Sequence, residues 1–162
     1  MLRFGGTCTV TTVSTDARFV VERWPSLIPF LLMATMNAQA QSARAPDPTT
    51  TEYKSIVEIA SKAATAELKQ TARLEPNVLN VSGDWAFLFA DIVDAHGAPY
   101  DYRGSALEAA AAAGGVSRSY AGLLRMKAGE WSMVVQAIGP TDVAWEPWPA
   151  RYGAPEAVFA ID

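Results

Sequence analysis

The stretch Trp85–Val93, WAFLFADIV, constrains the fold of this chain more than any other. In extended form its side chains alternate between two faces, so Trp85, Phe87 and Phe89 fall on one side and Ala86, Leu88, Ala90 and Ile92 on the other. An antiparallel strand with one face in water alternates apolar with polar residues. Here both faces are apolar, so the strand requires a cover on each side. One layer of the fold must lie above it and another below.

The segments around this strand suggest what the layers are. Val78–Val81 and Trp85–Val93 flank Ser82-Gly83-Asp84, the sequence form of a hairpin. Tyr120–Trp145 reads as a second hairpin, turning at Lys127-Ala128-Gly129-Glu130 and broken by Gly139-Pro140. Its first strand places Tyr120, Gly122, Leu124 and Met126 on one face, and its second groups Trp131, Met133, Val135 and Ala137. Tyr100–Arg103 is expected to add a short strand, and the alanine-rich Ser105–Ala113 a short helix stopped by Gly114-Gly115.

From Glu52 to Leu74 the period changes. Tyr53, Ile56, Val57, Ala60, Ala63, Ala64, Leu68 and Ala72 recur at helical spacing, and the alanines in this stripe imply a close approach to the sheet. Thr49 with Glu52 predicts a capping box, and Glu75-Pro76-Asn77 the helix end. This helix can cover one face of the central strand. The other face is left for the C-terminal segment or a second subunit. The tail, with Trp145, Trp148 and Tyr152, has too much aromatic surface to leave in water.

The N-terminal part reads differently. Arg23, the apolar run Leu27–Met36 and Asn37-Ala38-Gln39-Ala40 match a secretory signal with cleavage near Ala40. The run is shorter than the roughly 20 residues a membrane span needs, so no stable membrane insertion is expected after cleavage. Residues 1–22 fit no part of a signal and are expected to lie upstream of the true start. The domain reading is therefore 1–40 signal peptide with an N-terminal extension, 41–51 flexible lead-in and 52–162 a single α+β domain. The expected location is the periplasm or the exterior.

Composition narrows the chemistry. Half of the residues are apolar and 19% charged, as in an ordinary globular protein. A net charge of -4 with no basic cluster argues against nucleic acid as a partner. Cys8 is the single cysteine and His96 the single histidine, so no metal centre, cofactor or nucleophile–histidine pair is expected.

A long helix followed by a four- to five-stranded antiparallel meander resembles the cystatin-like and nuclear-transport-factor-two-like folds. The resemblance is carried by Ser82-Gly83-Asp84-Trp85-Ala86 and by Leu123-Leu124-Arg125 with Gly129-Glu130-Trp131-Ser132-Met133-Val134. The ending IGPTDVAW with WPARYGAP also looks like that of an exported proteobacterial family of no known activity. The resemblance implies an α+β class: an N-terminal helix packed on a curved meander, a cystatin-like roll. It transfers no catalytic residue. Relatives of the ketosteroid-isomerase type use a carboxylate base with a tyrosine or acid donor, and that signature is absent here.

Three functions follow as expectations. The first is an exported binding or accessory domain with a small apolar ligand, its pocket lined by Trp85, Phe87, Phe89, Trp131, Trp145 and Trp148. The second is a small lyase or isomerase with Asp91 or Asp142 as base and Tyr120 or Tyr102 as donor. The third is a homodimer formed through the second sheet face. Asp91 shares the Trp85 face and is either a carboxylate in an apolar cavity or a solvated group where the strand leaves the core. Asp142 suits a cap for a helix starting near Val143. His96 belongs to a loop, and Arg103, Arg118 and Arg125 suit either an acidic ligand or solvent.

Overall fold

A computed structural model describes residues 42–161. Helix α1 (Thr51–Leu68) is followed by β1 (Arg73–Ser82) and β2 (Trp85–Val93), then a short α2 (Glu108–Ala112). Strands β3 (Ser119–Lys127) and β4 (Glu130–Ile138) come next, with α3 (Trp148–Tyr152) and a 3-10 turn (Glu156–Phe159) closing the chain. The four strands form one antiparallel meander in the order β1-β2-β3-β4. The α+β class expected from the sequence is what the chain adopts. Residues 100–103 form no strand; beside the sheet, Pro99 bridges to Val93 and the Tyr100 amide donates to the Ile92 carbonyl at 3.2 Å.

Both hairpin turns use two residues, and their backbone explains their sequence. Gly83 takes the first central position of the β1–β2 turn at φ 57°, as a type II′ turn requires. In the β3–β4 turn Ala128 (φ 52°) and Gly129 (φ 84°) are both left-handed, the type I′ pattern. Alanine in that region costs roughly 1–2 kcal/mol.

Helix α1 is shorter than its periodicity suggests and is capped one residue later. Thr50, not Thr49, is the N-cap, its Oγ accepting from the Tyr53 amide at 3.2 Å. Thr49 instead donates to the Asp47 carboxylate, and Glu52 accepts from Arg44 at 2.7 and 2.9 Å. The helix ends at Leu68 because Lys69 turns left-handed (φ 56°), and the Thr65 hydroxyl exchanges hydrogen bonds with the backbone of Ala72. Ala72 and Leu74 continue the helical period by chance; they are buried at the entry to a strand.

Pro76 thus lies inside β1 rather than after a helix. An outer strand tolerates it, because a proline has no N–H to give to the ladder. The pairing slips beside it, leaving Asn77 as a bulge. The segment 42–50, expected to be a flexible lead-in, is tied to β1 at one point: Arg44 and Val81 exchange backbone hydrogen bonds of 2.9 and 2.8 Å.

The two-sided burial of β2 is met by two covers. Ile56, Ala60, Ala64 and Leu68 of α1 pack over Leu79, Val81, Leu88, Ala90, Ile92 and Leu124. The helix approaches both outer strands, β1 and β4, so the sheet bends around it. On the opposite face Trp85, Phe87, Ala121 and Leu123 meet Trp148, Ala154 and Val158 of the tail. Of the two covers expected for this face, the chain's own tail is the one in place. Asn80 fastens it, donating to the Val158 and Ala160 carbonyls at 3.2 and 2.7 Å.

Candidate functional site

The six residues expected to line one apolar pocket do not share a face. A second bulge, at Val134, reverses the alternation in β4. Trp131 and Met133 therefore join the helix side, while Val135 and Ala137 join the tail side. Trp85, Phe87, Phe89, Trp145 and Trp148 do come together, but against one another. Phe87 stands 5.7 Å from Trp145, 6.4 Å from Trp148 and 4.9 Å from Phe159 between ring centroids, and Phe89 stands 5.2 Å from Trp145. At such separations the rings fill the space between them. Trp85 lies at the margin of this cluster with the Arg125 guanidinium over its ring at 4.8 Å, a cation–π contact.

The expected base and donor are separated by the sheet. Asp91 faces Ser119 across β2–β3, and Ala90 faces Tyr120, so alternation sends Asp91 and Tyr120 to opposite sides. Asp91 is exposed at the end of β2, where it accepts from Asn77 Nδ2 at 3.1 Å. Tyr120 is fully buried on the helix side. Its hydroxyl donates to Gln136 Oε1 at 3.0 Å, and Gln136 Nε2 donates to Glu67 at 2.6 Å and to the Ala63 carbonyl at 3.3 Å. Burial, with a smaller push from Glu67, raises the Tyr120 pKa far above the usual phenol range. The group stays neutral and ties β3 to α1 through β4.

The other expected participants are structural or solvent-facing. Asp142 is exposed, and α3 starts only at Trp148 with Pro147 as its N-cap, so no helix begins at Val143 for Asp142 to cap. The Tyr102 hydroxyl donates to the Ser117 carbonyl at 2.6 Å. Arg103 pairs with Asp101, whose pKa falls because of that hydrogen bond. His96 is exposed, and its backbone N–H donates to Asp94, whose carboxylate also accepts from Ala98 and is held below the usual range by these bonds.

The sequence reading missed the feature that best suits a ligand. At the end of the sheet away from both hairpin turns, Glu75, Asp91, Gly97, Pro99 and Arg118 line an open groove of about 380 Å³. Glu75 and Asp91 are directly opposed in the β1–β2 register, a like-charge pair on one face. Arg118 is fixed by its Nε donating to the Tyr100 carbonyl at 2.9 Å. It also lines a neighbouring groove of about 420 Å³ with Asp101, Tyr102, Arg103 and Glu108. Reading residues 52–74 as helix placed Glu75 in a loop and hid its pairing with Asp91.

Among the described residues, no cluster of three or more His, Cys, Asp or Glu side chains suits a metal, and no helix is long and apolar enough to cross a membrane. Scans against protein-family models, curated proteins and solved structures each found no match to this chain.

Proposed function

We propose that this chain is an exported binding or accessory domain that holds a small ligand without transforming it. The observation that carries the reading is the groove at Glu75, Asp91 and Arg118. Two adjacent carboxylates and an anchored guanidinium suit a small molecule bearing a cationic amine and an anionic group. Trp85, Phe87, Phe89, Trp145 and Trp148 are packed on one another and Trp131 lies on the opposite face, which supports a ligand seat at this polar end rather than among the rings. The separation of Asp91 from Tyr120 by the sheet supports binding over proton transfer, since a base and its donor must reach one reacting centre. Export rests on the signal pattern at residues 27–40, which lies outside the described residues.

Native mass spectrometry of the chain secreted from its own host tests this. The expected spectrum has a mature terminus near Gln41 and a retained small mass that disappears in a Glu75→Gln/Asp91→Asn double variant. A retained mass that survives the double substitution would remove the groove as its seat.

A further inference from the structure

The two edges of the sheet are treated differently. Strand β1 is protected by Pro76, by the Asn77 bulge, by Arg73 and Glu75, and by the backbone bridge from Arg44. These are the usual means of keeping another strand away. Among the described residues strand β4 pairs only with β3, and Trp131–Ile138 carries neither proline nor charge. Beside it Ser55 and Ile59 of α1 line a groove with Glu130 and Trp131, and Ala63 lies one turn further on, beside Gln136. All three are half-buried and uncharged.

We propose that a second copy of this chain docks on β4, strand to strand and antiparallel, joining the two sheets into one of eight strands. The register follows from which backbone groups face outward. The Met126 amide donates to the Asp84 carbonyl at 2.7 Å, away from β4, so its partner Trp131 presents its own backbone groups to the outside. At the other end the Gly139 amide donates inward to Ser119 at 2.8 Å, so Ile138 faces out. Alternation from both ends makes Trp131, Met133, Gln136 and Ile138 the outward residues, with the Val134 bulge inserted between Met133 and Gln136.

That bulge selects the partner. A regular strand presents outward groups every second residue and falls out of step where β4 takes three, from Met133 to Gln136. A second β4 run antiparallel has the same three-residue step at the same place. Trp131 then meets Ile138, Met133 meets Gln136, Val134 meets Val135, and Glu130 meets Gly139. Every outward residue faces another outward residue, and no like charges are opposed. The interface is isologous, with its two-fold axis between Val134 and Val135.

Sedimentation of the full secreted chain tests the proposal. The expected result is a dimer that Val134→Lys converts to a monomer with unchanged circular dichroism, raising the dissociation constant at least about 10-fold by placing two like charges at the axis. A second test does not depend on the fold tolerating lysine. A secreted Val134→Cys chain mixed with a Val135→Cys chain should cross-link far faster than either alone. A wild-type chain that stays monomeric at all concentrations, or a dimer indifferent to Val134→Lys with no preference for the mixed pair, would overturn it.

Discussion

The two faces of the sheet are both covered, but by different chemistry. On the helix side the largest residues are Trp131, Tyr100, Tyr102 and Tyr120, set among Leu and Ile, and polar atoms are carried into the core. The Tyr120 hydroxyl reaches Glu67 through Gln136, and that of Tyr102 reaches the Ser117 carbonyl. On the tail side the interior is made of tryptophan and phenylalanine rings, and the polar fastening comes from Asn80. Hydrogen bonds fix distances and directions, whereas ring packing rewards area. The helix side is thus specified by geometry and the tail side by filled volume.

The largest effect should come from emptying the tail side. Phe87→Ala removes the ring that meets Trp145, Trp148 and Phe159, and is expected to cost about 3–5 kcal/mol in chemical denaturation. Proteolysis should then cut first within the tail, with residues 51–138 surviving longer. Simultaneous loss of both regions would mean that the faces are not separable.

A smaller loss should follow Gly122→Ala, which attacks the helix side. A Cβ at Gly122 would sit 2.7 Å from the Tyr120 hydroxyl oxygen and 2.8 Å from its ring. Tyr120 has no room to retreat, so the substitution should cost about 1–3 kcal/mol. It should also quicken amide exchange in α1, β3 and β4 while the tail tryptophan fluorescence stays unchanged. An altered tail signal would show that the faces communicate through β3.

The mildest test is a change of pH. Burial raises the pKa values of Tyr100, Tyr102 and Tyr120 above the ordinary value of 10.0. The folded state therefore favours the protonated phenols. Their contribution is complete below the unfolded pKa near 10 and is lost as pH rises through the higher folded values. The denaturation midpoint should hold from neutral pH to about 10 and then fall gradually, with tyrosinate absorbance appearing in step with loss of helix. Tyrosinate formed by these residues without loss of stability would contradict their role in the helix-side core.

These tests also mark what the sequence made legible. The double-sided burial of β2 required two covers, and both exist. The hairpin turns were written in Gly83 and Gly129, where backbone geometry dictates residue type. The bulges at Asn77 and Val134 were not legible, because a one-residue insertion leaves the apolar composition intact while reversing every side chain beyond it. That reversal sent Trp131 to the helix side. The helix end was hidden for a related reason: Lys69 turns left-handed with no glycine or proline to announce it, and Ala72 and Leu74 keep the helical period. Glu75, and with it the groove, was lost in the same misreading.

The tail fastened by Asn80 has a consequence in time. Synthesis runs from the amino terminus, so α1 and all four strands exist before residues 145–160 do. During that interval Phe87, Leu123 and Ala121 have no cover, and the newborn sheet offers water the surface it most needs to hide. The last residues made act as the latch. A stalled or clipped chain lacking them would keep every strand and still be the sticky form of this protein.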